Sequence, residues 1–221
     1  IQEKPMKEFK TDFEFKDSRN YVHSTTMLED LCRLIYGNFY PESEWEMPKI
    51  DAKFHKEVLH NGRFFIAETS ELPEIGTVSA DFRFYDGNRS IHAVFIEDKG
   101  ASITKRIKTN YKVEDIVLEK DFSGTCRIAC EDRVAFTENV IEANKRMHLL
   151  TIRDKNKALK VINLYMKKFP AFVPDEAKNL LLKIENISVR QREGSIATLN
   201  SFCFLDVQSI RFEMAYVVEG L

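Results

Sequence analysis

Cysteine and glycine are both scarce in this chain, and their scarcity excludes several kinds of site. The 221 residues include four cysteines and eight glycines. The only close cysteine pair, Cys126 and Cys130, has the spacing C-x3-C, which is not a zinc-type pairing. The sequence has no glycine-rich phosphate loop, no nucleophile elbow and no histidine-carboxylate cluster with metal spacing. We therefore expect reduced thiols, no metal and no cofactor.

A basic surface and a long apolar run are missing as well. The chain has 33 basic and 35 acidic side chains spread along its length, with a formal net charge of −2. Binding to a phosphate backbone needs a basic face, so we expect no nucleic-acid partner. No apolar run approaches the ~20 residues that cross a bilayer, and the opening IQEKPMKEFK lacks the apolar centre of a signal peptide. These features predict a soluble cytoplasmic protein without a membrane segment.

Alternating aromatic and polar residues, such as Phe82 to Phe84 and Phe202 to Phe204, indicate strands with one buried face. Residues 53–109 are predicted to form a four-stranded antiparallel meander. Its three turns are expected at His60-Asn61-Gly62, at Asp86-Gly87-Asn88 and at Asp98-Lys99-Gly100, because Asn-Gly and Asp-Gly adopt the positive φ angles of tight turns.

Two segments have helical rather than strand periodicity. The first is capped by Ser24-Thr25-Thr26 and ends at Gly37, and the second is capped by Thr137. The apolar residues of the first helix are Met27, Leu28, Leu31, Leu34 and Ile35, and those of the second are Phe136, Val140, Ala143, Met147 and Leu150.

The two helices lie about 110 residues apart, which suggests an internal repeat. Residues 21–35 align with 134–148, so that Glu29 lies over Glu142. The other matches are Arg33 with Arg146, residues 53–58 with 168–173, and residues 82–91 with 187–196. Few residues are identical between the two halves, so the evidence for the repeat is the matching order of helices and strands.

Each half is thus predicted to contain a first strand, a helix and a long antiparallel meander. A sheet wrapped around one central helix is the hotdog arrangement. The predicted fold class is therefore α+β, a double hotdog of two tandem repeats, residues 1–113 and 114–221, with the boundary in the polar stretch around Lys112 to Asp121. Joining the two sheets edge to edge would remove one exposed edge from each. Residues 155–168 are compatible with a strand or a helix, and a helix there would require another plan for the second half.

The second half also resembles a known family. Residues 167–218 resemble the end of 3-hydroxyacyl-(acyl-carrier-protein) dehydratases, with Val173-Pro174-Asp175 standing where that family has Val-Pro-Gly-Asp. Residues 136–148 look like the central helix of the family, and Val140-Ile141-Glu142-Ala143 matches its aliphatic-Glu-Ala pattern. The tandem layout is similar to that of the A-factor synthase-like double hotdog proteins, which handle β-ketoacyl thioesters. The likeness covers about 80 residues of the second half well and the first half loosely.

The resemblance implies an enzyme of fatty-acid or polyketide-type metabolism that acts on acyl-carrier-protein or coenzyme A thioesters. It would be dehydratase-, thioesterase- or acyltransferase-like. The chain departs from the family because the His-Phe-Pro-Gly segment that carries the catalytic histidine is absent from both halves, and Glu138-Asn139 replaces the Pro-Gly that starts the helix. A non-catalytic protein that binds an acyl group or scaffolds a partner therefore stays open as the alternative.

Three residues are candidates for the chemistry. Glu142 matches the helix glutamate of the family and would be the acid or base, although a solvated helix glutamate fits the same pattern. Glu29 is its repeat mate, but it lies nearly opposite the apolar face of the first helix, which favours a surface position. His23 precedes that helix and would assist Glu142 from the other half, or serve only as a loop or capping residue.

The remaining polar residues are weaker candidates. Asn139 and Asn144 flank Glu142 and would orient a carbonyl or cap a helix. We interpret His55, His60, His92 and His148 as surface or half-buried side chains. A tandem double hotdog already contains the pairing that single hotdogs obtain by dimerising, so either a monomer or a homodimer is expected.

Overall fold

The computed structural model describes residues 5–39, 49–73, 75–86, 89–119, 124–129, 138–143, 146–147, 150, 160–167, 179–192, 195–204 and 211–219, with the backbone alone from residue 160 onward. The chain divides into two compact units, residues 1–109 and 110–221. No helix among these described residues has the length and apolar character needed to cross a membrane.

Unit 1 contains one antiparallel sheet, a short parallel pair of strands and a helix. The sheet has the strand order β1-β4-β6-β5-β3, and β2 pairs with β7. The strands are β1 (Lys7–Lys10), β2 (Phe15–Lys16), β3 (Lys49–Phe54), β4 (His60–Ala67), β5 (Ala80–Asp86), β6 (Arg89–Ser102) and β7 (Arg106–Ile107). Helix α1 covers Ser24–Asn38.

One face of this sheet is built from alternate residues of the four longest strands, as the period-2 pattern requires. Phe64 lies opposite Phe95 in the register of β4 and β6, and Phe82 lies opposite Ala93 in that of β5 and β6. The buried positions of this face also include Ile50, Ala52, Phe54, Ile66, Ala80, Phe84 and Ile91. Aromatic rings contact one another across the strands, with 5.1 Å between the centroids of Phe64 and Phe95. The result is an aromatic-rich core face.

Helix α1 supplies the other half of this core. The buried side chains of its apolar stripe are Met27, Leu28, Leu31, Cys32 and Ile35. The sequence periodicity predicted this stripe, except that Leu34 is half-buried and Cys32 is fully inside. The helix begins one residue earlier than the predicted caps, because His23 holds the N-cap position and Ser24 is already helical. Gly37 lies in the last turn, and the helix ends at Asn38, whose Nδ2 donates to the carbonyl of Leu34 at 2.9 Å.

The predicted meander over residues 53–109 is wrong in its order. β5 and β6 form the expected hairpin, since Asp86 pairs with Arg89; Gly87 and Asn88 lie outside the described residues. However, β3 pairs with β5 rather than with β4, and residues 60–62 lie inside β4. Gly62 is required there for close approach rather than for a turn, because a Cβ on it would come within 2.1 Å of the carbonyl oxygen of Ile96.

The third predicted turn, at residues 98–100, is wrong too. These residues continue β6, which extends to Ser102. The pairing of β4 with β6 shifts register between His60 and Gly62, so that the partner changes from Ser102 to Glu97. The turn-forming sequence Asp98-Lys99-Gly100 therefore produces an irregularity within a strand, since extra residues in one strand bend it without ending the ladder.

The carboxylate of Glu97 ties the segment before β4 to β6. It accepts hydrogen bonds from Lys56 Nζ at 2.7 Å, from the backbone N–H of Leu59 at 2.6 Å and from that of His60 at 2.9 Å, and it lies 3.1 Å from His60 Nδ1. Its side chain is only 6% exposed. Burial raises the pKa of Glu97, but these donors outweigh burial and lower the pKa to about 2.

Unit 2 has a sheet with the order β8-β9-β11-β12-β13-β10. Its strands are β8 (Val113–Leu118), β9 (Gly124–Ala129), β10 (Lys160–Lys167), β11 (Asn179–Arg192), β12 (Ser195–Phe204) and β13 (Arg211–Glu219), all paired antiparallel. The second helix, α2, includes residues 138–143, 146–147 and 150. The segment that was compatible with strand or helix forms the strand β10, which agrees with the predicted plan of this half.

Both units follow the same general order, with a helix after the first strands and then four long strands. In unit 2, β11, β12 and β13 form the predicted meander, whereas in unit 1 the chain goes from β4 to β5 without pairing them. The division at residue 113, the tandem repeat and the alignment of residues 168–173, which lie outside the described residues, stay predictions.

Replacing Glu97 with glutamine should destabilise the protein by about 2 kcal/mol at pH 7, because several hydrogen bonds to a buried charge are weakened. The folded pKa of about 2 is below the ordinary value of 4.5, so the stabilisation is complete above pH 4.5 and is lost as the pH falls toward 2. Urea unfolding at pH 7 and at pH 3 should show the difference between wild type and Glu97→Gln shrinking at the lower pH.

The exposed Glu71 provides the matched control, and Glu71→Gln should change the free energy of unfolding by less than about 0.5 kcal/mol. Equal stabilities of wild type and Glu97→Gln at pH 7 would contradict a structural role for the carboxylate.

Candidate functional site

Glu142 lies on α2 at the edge of the buried stripe of that helix. Its neighbours Ile141 and Ala143 are buried, and its own side chain is 15% exposed. Arg146, one turn later, donates from Nε to Glu142 Oε1 at 2.9 Å and from Nη1 to the carbonyl oxygen of Val113 at 3.2 Å. A charge-assisted bond of this kind fixes the orientation of the carboxylate. Glu142 is thus half-buried and bound to a cation, rather than fully solvated.

The stripe beside Glu142 packs against the first two strands of unit 2. Its buried members are Val140, Ala143 and Met147, and the facing strand residues Cys126 and Ile128 are also fully buried. Gly124 allows the close approach, because a Cβ there would lie 3.0 Å from the sulfur of Met147. The polar pair on α2 therefore borders a tightly packed apolar layer.

The Cys126 thiol is part of that layer. Burial raises its pKa to about 12, and the charge of Arg146 offsets this only in part. Since the thiolate is the reactive form of cysteine, this thiol is a packing group and not a nucleophile. Cys32 in unit 1 is also a free, buried thiol.

Asn139 precedes Glu142 by one turn and is 3% exposed. Its Oδ1 accepts from the backbone N–H of Lys112 at 3.0 Å, and its Nδ2 donates to the carbonyl oxygen of Ala129 at 2.8 Å. The amide therefore joins the chain ahead of β8 to the end of β9. This is a structural role rather than the carbonyl-orienting role considered from the sequence. Asn144 lies outside the described residues.

In unit 1, Glu29 is more buried than its position on the helical wheel indicated. It is half-buried, and its Oε1 atom is inaccessible to solvent. Lys16, a residue that the sequence analysis did not single out, is only 4% exposed. Burial lowers the pKa of Lys16, and the charge of Glu29 is the strongest influence that opposes this effect. The charges of a buried lysine and a half-buried glutamate therefore influence each other in unit 1.

His23 is half-buried at the N-cap of α1, and its Nδ1 lies 2.7 Å from Thr25 Oγ1. This position agrees with the helix-start alternative of the sequence analysis. His23 and Glu29 belong to unit 1 and Glu142 belongs to unit 2. A shared active site of these three residues stays a prediction.

His92, which was expected at the surface or half-buried, is in fact 5% exposed. The backbone N–H of Leu72 donates to its Nδ1 at 2.8 Å, and Nε2 therefore carries the proton that is donated to Asp81 Oδ2 at 2.9 Å. Burial raises the pKa of Asp81, but the hydrogen bond from His92 and nearby positive charges outweigh it and lower the pKa. Both imidazole nitrogens are thus used within the fold.

The other histidines are less central. His60 contacts Glu97, His55 is exposed, and His148 lies outside the described residues. No group of three or more histidine, cysteine, aspartate or glutamate side chains within the described ranges is arranged to hold a metal ion.

The fold is similar to several solved structures. An inactive mutant of the CurJ dehydratase, solved in complex with a small molecule, has a TM-score of 0.55 and 9% identity, and the match covers 98% of this chain and 90% of that one. A TesB protein of Mycobacterium avium subspecies paratuberculosis has a TM-score of 0.56 and 8% identity, with 97% and 93% covered.

A monomeric dehydratase domain from a trans-AT polyketide synthase split module has a TM-score of 0.54 and 7% identity, and 98% of each chain is covered. No family model and no curated protein matches the sequence. At these identities the structural likeness shows the fold alone. It is the α+β hotdog fold of dehydratase domains and thioesterases, as the resemblance in the sequence predicted.

Replacing Asn139 with alanine should destabilise the protein by about 2–4 kcal/mol, because two partly buried backbone groups lose their hydrogen-bond partner and a small cavity remains in place of the buried amide. Urea unfolding followed by circular dichroism measures the change. Asn38→Ala is the matched control, since Asn38 makes an exposed hydrogen bond at the end of α1, and its effect should be within about 1 kcal/mol. An Asn139→Ala variant as stable as this control would contradict the bridging role.

The Cys126 thiol should resist alkylation in the folded protein. With a pKa of about 12 and no exposed surface, it should remain unmodified by iodoacetamide at pH 8 under conditions that modify it fully in 6 M guanidinium chloride. Peptide mass spectrometry reports each cysteine separately. Rapid modification of Cys126 in the native protein would show that the packing of β9 against α2 opens readily.

Proposed function

We propose that this protein processes acyl thioesters of fatty-acid or polyketide-type metabolism, with the acyl chain attached to acyl carrier protein or to coenzyme A. The proposed activity is dehydratase-, thioesterase- or acyltransferase-like. The proposed architecture is a double hotdog with repeats at residues 1–113 and 114–221, in the cytoplasm and as a monomer or homodimer. The hotdog fold of dehydratases and thioesterases supports this class of substrate.

The surroundings of the Glu142 carboxylate are the observation that supports this proposal at the level of individual residues. The half-buried carboxylate of Glu142 is held by Arg146 at the edge of an apolar layer. An acyl thioester has an apolar chain beside a polar carbonyl, so its site needs an apolar wall next to an oriented acid or base. This edge of α2 has both features.

The chemistry assigned to Glu142 is that of a general base. In a dehydration, the carboxylate accepts the proton from C2 of a 3-hydroxyacyl thioester while the C3–O bond breaks, and the hydroxyl group leaves with a proton as water. In a hydrolysis, it accepts the proton of a water molecule that attacks the thioester carbonyl, and the thiol leaves with a proton. Arg146 would stabilise the negative charge that develops on the carbonyl oxygen in both reactions.

His23 and Glu29 complete the proposed set of catalytic residues. An imidazole at His23 would deliver the proton to the leaving group, which is the part that the missing His-Phe-Pro-Gly segment plays in the dehydratases that the sequence resembles. Glu29 would be the corresponding carboxylate of unit 1.

The alternative is a non-catalytic protein that binds an acyl group or scaffolds a partner. Two observations favour it. The His-Phe-Pro-Gly segment is absent from the sequence, and Glu142 already accepts a hydrogen bond from Arg146 within its own helix. An ion pair of this i,i+4 type also stabilises helices that have no catalytic function.

Native mass spectrometry with a panel of acyl-coenzyme A and acyl-carrier thioesters should distinguish the two functions. We expect the wild type to bind and convert at least one thioester, and Glu142→Gln to lower kcat/KM by at least about 100-fold, because a base in the transition state is lost. Its affinity for the thioester should change by less than about threefold, since glutamine keeps the shape. Bound mass and loss of the thioester are followed together.

The exposed Glu114 on β8 gives the matched control, and Glu114→Gln should leave conversion unchanged. Conversion by Glu142→Gln at the wild-type rate would rule out Glu142 as the base. Binding by the wild type without any conversion would instead support the acyl-binding alternative.

A further inference from the structure

His92 lies on the face of the unit 1 sheet that is opposite the aromatic core. Along β6 it alternates with Ile91 and Ala93, whose side chains belong to the core face. A residue on the outer face of a sheet is ordinarily open to water, yet His92 is 5% exposed and Val94, the next residue on that face, is 4% exposed. This part of the outer face is therefore covered by another part of the protein.

The chain that follows β4 contributes to that cover at His92. Ala67, the last residue of β4, is opposite His92 in the register of β4 and β6, and we call the residues after it, 68–73, the connecting segment. The backbone N–H of Leu72 in this segment donates to His92 Nδ1 at 2.8 Å. Leu72 is half-buried, while its neighbour Glu71 is exposed. The hydrogen bond to the imidazole thus holds the connecting segment against the sheet.

The bond from Leu72 requires that His92 Nδ1 carries no proton. An amide N–H donates only to a nitrogen with a lone pair, and a neutral imidazole has one such nitrogen. The other nitrogen, Nε2, donates its proton to Asp81 Oδ2 at 2.9 Å. A second proton on Nδ1 would place two donors opposite each other, so the imidazolium form of the ring is incompatible with the bond from Leu72.

Asp81 holds the ring from its other side and stays charged. Its side chain is 21% exposed, and its Oδ1 lies 3.6 Å from Arg83 Nε. Burial raises the pKa of Asp81, but the hydrogen bond from His92 and nearby positive charges outweigh it and lower the pKa. The carboxylate therefore accepts from Nε2 whether the ring is neutral or positive, and protonation of the ring acts on its contact with Leu72 alone.

The charged side chains nearest to the ring in register and in sequence come from two strands and from the connecting segment. They are Asp81 and Arg83 on β5, Asp51 and Lys53 on β3, and Glu68 and Glu71 in the connecting segment. Acids outnumber bases among them, so the surroundings do not oppose a positive ring. Imidazole is the side chain whose charge ordinarily changes between pH 5 and 8.

We propose that His92 is a pH-sensitive latch, which holds the connecting segment on the outer face of the sheet at neutral pH and releases it when the ring takes up a second proton. Release uncovers the imidazole and Val94 and gives unit 1 an open state. The open state binds one more proton than the closed state, so a fall in pH shifts the equilibrium toward it. This inference goes beyond the proposed function, and its test needs no thioester.

The first measurement is hydrogen exchange of single amides by nuclear magnetic resonance at pH 7.5 and pH 5.5. The protection factor of the Leu72 amide should fall about tenfold, because an imidazole in the open state takes up its second proton near pH ~6.5. The Ser79 amide, which donates to the carbonyl of Phe95 at 2.8 Å, is the internal control and should keep its protection. Unchanged protection of Leu72, or an equal loss at Ser79, would overturn the latch.

The nitrogen chemical shifts of the His92 ring test the closed state directly. At pH 7.5 they should show an unprotonated Nδ1 and a protonated Nε2, because Leu72 donates to the first and Asp81 accepts from the second. A ring with a proton on Nδ1 at pH 7.5 would overturn the proposal, since the bond from Leu72 could not then exist.

The decisive variant is His92→Gln, with folding checked by circular dichroism. Glutamine has an oxygen that can accept from Leu72 and an amide group that can donate to Asp81, but it does not titrate, and every carboxylate around it is kept. Its Leu72 amide should therefore have the same protection at pH 7.5 and pH 5.5. A tenfold fall that persists in His92→Gln would assign the pH dependence to another group and overturn the latch.

The matched control is His55→Gln. His55 is an exposed histidine directly after β3, and the same substitution there removes a titrating ring without touching the bond to Leu72. This variant should keep the tenfold fall of the wild type. Loss of the fall in His55→Gln would show that the pH dependence does not come from His92 and would overturn the proposal.

Discussion

In each unit, one helix has to bury its apolar stripe in the core, and this requirement sets how deeply the polar residues at the edge of the stripe lie. On α2, Val140, Ala143 and Met147 are fully buried, so Glu142 between them is drawn to 15% exposure. On α1, the stripe from Met27 to Ile35 has the same effect on Glu29. A carboxylate that is half-buried loses part of its hydration, and a nearby cation compensates for this loss.

The two units meet that need in different ways. Arg146 reaches Glu142 from the next turn of the same helix, so that pair forms as soon as the helix does. Glu29 is influenced by the charge of Lys16, which belongs to a separate strand, so this interaction requires the folded unit. The sequence alignment that superposes Arg33 on Arg146 suggests the same local pairing in unit 1, but Arg33 binds Asp30 instead. The two carboxylates are thus related in sequence position but have different electrostatic surroundings.

The periodicity of the sequence predicted the positions of helices and strands better than it predicted which strands pair with each other. The buried stripe of α1, the hairpin of β5 and β6 and the strand at residues 160–167 were available from the sequence, because each depends on neighbours along the chain. On α2, Val140, Ala143 and Met147 are buried as predicted, but Leu150, which was predicted on the same stripe, is 54% exposed. The turns at residues 60–62 and 98–100 were wrong because Gly62 is needed for close contact between β4 and β6, and because Asp98 to Gly100 fit a register shift. Lys16 was missed since a two-residue strand has no period to detect.

The contacts between the start and the end of unit 1 have a kinetic consequence. Thr109 donates its backbone N–H to Asp17 at 2.9 Å across a sequence separation of 92 residues, and Lys105 binds Asp12 across a similar distance in the chain. Forming them closes a loop that contains almost the whole unit, which is entropically costly before the core exists. These contacts should therefore form after the core has assembled. Their opening would be the earliest step of unfolding, and native-state hydrogen exchange would detect it as weak protection of the amides around β2 and β7.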